Sequence, residues 1–396
     1  MLDRLLARAI VWCTGFILVT ACLVWLGTKL ITWQKPCPDY MCFWAAGKIL
    51  ASGKSPYDLD MQATVQHEYG WDKATDGLGF YDFLPYRYPP SLLGLISVVL
   101  VPLGFPTARM TWLAINTELL FLTGYMARSS MLSAGRWMPL AIVPSFAFSV
   151  LAVLVGQLSP LILFLVVATW RLLESRWDRS AGCLLAWITI KPQLSLIPLL
   201  AILLWSIRQR RWQVIGGFVA GLLPLLALST WIDPTWMVRL FQSSSELPLV
   251  TVQYPRVGTT WILVLRSIGL SNPMVWIGYL ALAIPAILWT LRAAWDRASS
   301  LAEVLALSIL ATFFVAPYAR IYDLPILVVP LIVLIEGRLQ KLWVSGLLIV
   351  FVVLPYVHFI YWIPPGDSFA PHFWFFWIPA LLTCCWMILE SKKAKE

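Results

Sequence analysis

Apolar residues in this chain run in long unbroken blocks, and short polar stretches punctuate them. The first block carries no charge from Ala9 to Thr28, between Arg8 and Lys29. Further blocks cover residues 88–105, 107–127, 137–155, 159–173, 180–207, 214–232, 259–270, 274–291, 301–315, 324–335, 342–363 and 373–389. A helix needs about 20 apolar residues to cross a hydrocarbon layer of about 30 Å. The pattern predicts an all-α, polytopic helical membrane protein with roughly eleven to thirteen transmembrane helices.

The first block is long for a signal peptide, and no small-residue cleavage site follows it. Arg4 and Arg8 precede it, which places the N-terminus inside. Basic clusters at 171–179, 208–211, 292–297, 338–341 and 392–395 mark the inner turns. The turns at 156–160, 233–258, 317–322 and 364–372 then face outside. Residues 29–88 form the largest polar stretch, a first extracytoplasmic loop rich in Asp and Glu. Within it, residues 40–52 predict an amphipathic helix on the membrane interface, with Phe43, Ala46, Ile49 and Leu50 on one face. Residues 1–390 make one transmembrane domain, and 391–396 a basic cytoplasmic tail.

Two places resist a simple alternation. If 88–105 crosses inward, 107–127 crosses outward and strands Arg128 and Arg136 outside, so one segment there is re-entrant. Residues 180–207 hold one charge, Lys191. As one helix they span about 42 Å, and as a hairpin each arm reaches only about 20 Å. A kinked span and a buried re-entrant pair both fit.

Composition agrees with the pattern. Of 396 residues, 60% are hydrophobic and 12% charged, and mean hydropathy is +0.78. That excludes an ordinary soluble domain. The net charge of +9 lies mostly in short turns, so lipid headgroups explain it without nucleic acid. The seven Cys show no metal spacing with His. Cys37 and Cys42 both fall in the outer loop, but a helical i,i+5 spacing points them apart.

Charges inside apolar runs ask for a reason, because each costs roughly 2.5–3.5 kcal/mol at mid-depth. Asp39 follows the first block and precedes Tyr40, Phe43 and Trp44. It is either a solvated loop acid or a carboxylate held to take a proton from a hydroxyl. Lys191 precedes Pro192 and Gln193, so a broken helix exposes backbone groups beside an ammonium. It either snorkels or holds a phosphate oxygen. Arg320 and Asp323 sit three apart; they satisfy one another, or Arg320 meets a substrate phosphate while Asp323 orients it. Arg87 and Tyr88 precede Pro89-Pro90 at a helix entry, where Arg87 faces headgroups or an anionic ligand. Gln157 follows Gly156 in a tight turn; Arg256 is a weaker candidate, and His358 reads as a core histidine. No Walker A, dinucleotide fingerprint, nucleophile elbow or HExxH is present, so any substrate brings its own activation.

In order and spacing, D39YMCFWAAGKILASGKSPY57, Y88PPSLLGLISVVLVPLG104, G156QLSPLILFLVVA168, I190KPQ193 and A316PYARIYDLPILVVPL331 resemble the bacterial glycosyltransferase family 87. The resemblance spans about Asp39 to Leu331. The last stretch departs from members with a histidine there, since this chain has Tyr-Asp. The resemblance implies a GT-C fold in the bacterial inner membrane, with the site facing the periplasm or cell exterior. It implies a polyprenyl-phosphate sugar as donor, with mannose the sugar of the best-known members, and no cofactor or metal. Acceptors would be glycolipids, polysaccharides or proteins. Asp39 would be the general base of an inverting transfer, and Lys191 and Arg320, joined by Arg87 or Arg256, would stabilise the phosphate. A transporter or flippase of lipid-linked substrates is the main rival, and a non-catalytic assembly factor is a third reading.

Overall fold

The computed structural model describes residues 38–70, 83–128, 137–244, 252, 255–338, 346–362 and 372–393. These form helices and short tight turns, with no strand among the described residues. The first apolar block, Cys37, Arg136 and the last three residues lie outside them.

Helix α1 (Pro38–Ala51) opens on a proline with Asp39 in its first turn, a favoured N-terminal arrangement. The sequence pattern predicts one apolar face. Instead, every residue from Tyr40 to Ala46 is buried. The sequence of α1 is apolar nearly all round, and a helix of that kind is enclosed rather than laid on an interface. Tyr40 stacks on Trp112 with ring centroids 5.5 Å apart, and Phe43 tilts against Tyr88 at 5.1 Å.

Helix α2 (Leu59–Glu68) is capped by the Asp58 carboxylate, which accepts from the Met61 amide at 3.1 Å. Its buried Gln62 and Gln66 hold the incoming segment. Gln66 exchanges two hydrogen bonds with the Leu84 backbone, and Gln62 accepts from the Tyr86 amide at 2.7 Å. The clamp fixes the path that presents Arg87 and Tyr88.

Helix α3 (Pro90–Leu100) is about 16 Å long by its residue count, too short to cross. Its Ser91 amide donates to Ser229, and its far end returns to the aromatic cluster around α1. Helix α4 (Phe105–Ala127) then starts beside Tyr40 and runs away from it. Arg128 therefore sits at the far end, and the short α3 removes the conflict with the charge rule.

Helices α5 (Met138–Ser145) and α6 (Ala147–Val155) are bent by 49° just after Pro144. Next come α7 (Ser159–Glu174), α8 (Asp178–Trp187), α9 (Pro192–Arg208), α10 (Trp212–Ile232) and α11 (Trp236–Ser244). Then follow α12 (Trp261–Ser267), α13 (Asn272–Trp295), α14 (Leu301–Val315), α15 (Val328–Arg338), α16 (Leu354–Trp362) and α17 (Trp377–Lys393). Helix α14 starts with a Ser300–Glu303 capping box and is buried around most of its circumference. It forms the centre of the large apolar core.

Residues 180–207 resolve as a re-entrant pair. Arg211, just past α9, ion-pairs with Asp178 at the start of α8 and donates to the Leu173 carbonyl at 2.7 Å. The two ends of the segment therefore meet, and the chain reverses at Lys191. Helices α8 and α10 pack closely enough that a Cβ on Gly182 would lie 2.1 Å from the Val214 carbonyl oxygen.

Arg208 also donates to the Asp296 carbonyl, so the ends of α7, α9 and α13 gather at one basic end. The opposite end gathers Ser55 with Asp233 at 2.6 Å, Trp112 with the Gly156 carbonyl at 2.8 Å, and Thr259 with Ala319 at 2.8 Å.

The class is thus an all-α membrane protein. Among the described residues, α10 and α13 are long and apolar enough to cross singly, and the bent α5–α6 pair makes a third candidate. Among the described residues the other apolar helices are shorter, because Pro144, Lys191-Pro192 and 316–320 break the apolar runs.

Candidate active site

Three chain reversals meet at the end away from the basic cluster. The first follows α6, where Gly156 takes φ +79° and lets Gln157 bond back to the Ala152 carbonyl at 2.9 Å. The second is Lys191, whose backbone leaves the helical conformation just before Pro192. The third is the stretch from Ala316 to Arg320, between α14 and the 3-10 turn Ile321–Leu327.

Asp323 binds that last turn together. Its amide donates to the Arg320 carbonyl at 2.8 Å, and its Oδ2 accepts from the Arg320 amide at 2.9 Å. Its Oδ1 accepts from Ser159 at 3.1 Å and pairs with the Lys191 ammonium. Lys191 also donates to Gln157 Oε1 at 3.2 Å and to Ser159 Oγ at 3.0 Å. An ammonium has three protons, so its donors are all used.

A lysine can only donate, so Gln157 must turn its oxygen to Lys191 and its nitrogen the other way. That Nε2 donates to Asp39 Oδ2. Lys191, Gln157 and Asp39 thus form a chain of oriented groups from the re-entrant tip to α1. Arg320 acts on Asp39 electrostatically, and more strongly than Lys191 does. Its guanidinium hydrogen-bonds Tyr322. Tyr88 lies within electrostatic reach of Asp39, Asp323, Cys42 and Tyr318.

Burial pushes the Asp39 carboxyl above its usual range, and the Gln157 hydrogen bond with the charges of Arg320 and Lys191 offsets only part of that. Asp39 nevertheless keeps some accessible surface, and among the described residues its Oδ1 has no protein partner. It is a carboxylate oriented on one oxygen and open on the other.

The candidate residues separate into three groups. Asp39, Gln157, Lys191 and Asp323 are joined by hydrogen bonds, and Arg320 and Tyr88 border them. Arg87 is partly exposed and acts electrostatically on Cys42 and Tyr318, at the rim. Arg256 is exposed on the turn Pro255–Val257 and its side chain is not among the joined groups.

Two readings change. Lys191 is 1% exposed and surrounded by its own partners, so a phosphate has no open donor there. Asp323 is equally buried, and its carboxylate pairs with Lys191 rather than with the Arg320 side chain. Ser159 joins the cluster although only its motif, not the residue, stood out in the sequence. His358 is partly exposed and packs against Phe375 with ring centroids 4.3 Å apart. Cys42 donates to the Asp39 carbonyl at 3.0 Å.

No curated protein and no solved structure matches the chain. The family model of glycosyltransferase family 87 matches residues 86–317, more than half of the chain. The matched stretch contains Arg87, Tyr88, Gln157 and Lys191 and stops three residues before Arg320, while Asp39 lies ahead of it. The entry segment, the glycine turn and the re-entrant break that position Asp39 all fall inside that match, and the chain belongs to glycosyltransferase family 87.

Proposed function

We propose that the protein transfers a sugar, mannose in the first instance, from a polyprenyl-phosphate donor to an acceptor hydroxyl, with Asp39 as general base. One observation carries the reading: a partly accessible carboxylate, held on one oxygen by Gln157, lies within the field of Arg320. The free Oδ1 takes the acceptor proton as the hydroxyl attacks the anomeric carbon. The sugar–phosphate bond breaks on the opposite face, so the configuration inverts. The donor phosphate is already an activated leaving group, so this step asks for no nucleotide.

Arg320, with Arg87 at the rim, is the cation that meets charge growing on the phosphate. Lys191 instead positions: it fixes the Gln157 amide and neutralises Asp323. The site lies opposite the end where Arg171, Arg176, Arg179, Arg208, Arg210 and Arg211 gather. Basic turns favour the cytoplasm, which supports a site on the periplasmic or outer face.

The test is incubation of the purified protein with a radiolabelled polyprenyl-phosphate mannose and a set of glycolipid and oligosaccharide acceptors. Release of polyprenyl phosphate together with a labelled acceptor supports transfer. A protein that moves the intact lipid across a vesicle bilayer without cleaving it is a carrier, and the reading is wrong.

A further inference from the structure

Beside the Asp39 cluster lies a second set of buried polar atoms that nothing among the described residues satisfies. His372 begins the 3-10 turn before α17 and is 7% exposed; its ring hydrogen-bonds the Val257 backbone, yet among the described residues Nδ1 has no partner. Thr260 is fully buried, and its Oγ1 is also unpartnered, although Thr at a helix start commonly caps. Arg320 Nε is the third such atom.

These three belong to one neighbourhood. The amide of Thr259 donates to the Ala319 carbonyl at 2.8 Å, which ties Thr260 to the residue before Arg320. Val257, on the same turn, is the backbone partner of His372, and Arg320 acts on the His372 ring electrostatically. Gly258 keeps the segments close: a Cβ there would meet Leu263 Cδ1 at 2.0 Å and the Ala319 carbonyl oxygen at 3.1 Å.

Native proteins rarely leave buried polar atoms unpaired, and three together call for a ligand. Their chemistry is mixed. Arg320 Nε is a donor, and Thr260 Oγ1 both donates and accepts. A neutral His372 that gives its N–H to the Val257 carbonyl presents Nδ1 as an acceptor. A second cation beside Arg320, away from water, would be costly, which favours that neutral ring. A phosphate offers only acceptors and would meet the Nδ1 lone pair with repulsion. A sugar hydroxyl donates and accepts, so it suits all three.

We propose that Thr260, His372 and the Nε side of Arg320 form the subsite for the hydroxyls of the transferred sugar, with His372 Nδ1 as the acceptor that reads one hydroxyl's position. This rests on the glycosyl-transfer reading above and names the part of the site that selects the sugar. Arg320 then stands between the two halves, with the sugar hydroxyls on one side and the leaving phosphate and Asp39 on the other.

The experiment measures binding of two lipids to detergent-purified protein, a polyprenyl-phosphate hexose and sugar-free polyprenyl phosphate, in wild type, His372→Phe and His372→Asn. The expected result is a tenfold or greater weakening for the sugar-bearing lipid in His372→Phe, with sugar-free affinity kept within twofold. His372→Asn, whose Oδ1 replaces the Nδ1 acceptor, should recover most of the loss. A companion series with mannose, glucose and galactose donors should show His372→Phe flattening the preference. If His372→Phe weakens both lipids alike or neither, the subsite is wrong and the transferase reading stands. If wild type binds neither lipid, the lipid-donor reading fails and the subsite fails with it. A lower Tm with unchanged sugar discrimination marks His372 as structural and also overturns the proposal.

Discussion

The side-chain amide of Gln157 donates to the carboxylate of Asp39 across 118 positions of sequence. Its orientation is dictated from behind by Lys191, which needs the amide oxygen. If this chain of groups holds the base, Gln157→Leu should lower kcat by tenfold or more and leave donor affinity nearly unchanged. Gln157→Glu should be worse, since a second carboxylate beside Asp39 raises its proton affinity further. Steady-state kinetics on the two variants provide the check; equal activity in both would remove the positioning role.

The Lys191–Asp323 pair is buried on both sides. Removing one partner of such a pair strands a charge and costs about 3–5 kcal/mol. Lys191→Met and Asp323→Leu should each lower thermal stability sharply, while the double variant should recover much of the loss. Activity should not recover, because Gln157 loses the group that orients it. A double variant with wild-type turnover would show that Lys191 serves stability alone.

The re-entrant arm depends on close backbone approach. A Cβ at Gly217 would lie 2.2 Å from the Arg179 carbonyl oxygen. Gly217→Val should therefore push α8 from α10 and destabilise by about 1–3 kcal/mol. Because the arm ends at Lys191, turnover should fall with stability. Normal Tm in this variant would contradict the described packing.

Proton linkage at Asp39 has a definite sign. Burial holds its folded-state pKa above the ordinary value of 3.8. The base must be ionised, so the acid limb of kcat/KM against pH should stand above the range of an exposed carboxylate. The folded protein binds more protons than the unfolded chain between the two pKa values, so stability falls as pH rises through that window. Asp39→Asn lacks the proton and should not show that fall. Profiles of Tm against pH for both proteins check the sign.

Much of this was legible in the sequence, for physical reasons that differ by residue. Long apolar runs announce membrane helices because the bilayer fixes their length. Lys191-Pro192 announced a break because proline removes a helix bond and an ammonium in an apolar run needs partners. The identity of those partners was not legible: Asp323 lies 132 residues away, and pairing across that distance is set by packing. Run length also carries no direction, so the reversal at Lys191 and the short α3 left two topologies open. The burial of α1 is encoded in its all-round apolar composition, of which the face of Phe43, Ala46, Ile49 and Leu50 is only a part. His372 gave no spacing signal, since a lone histidine before an aromatic run is commonly core.

The most direct measurement compares Asp39→Asn with wild type in a single preparation, with turnover of a polyprenyl-phosphate mannose and binding of the same lipid read side by side. The account predicts a loss of about 10²–10⁴-fold in kcat, the range of a lost general base, with donor affinity within twofold. Transfer by Asp39→Asn at the wild-type rate would contradict it.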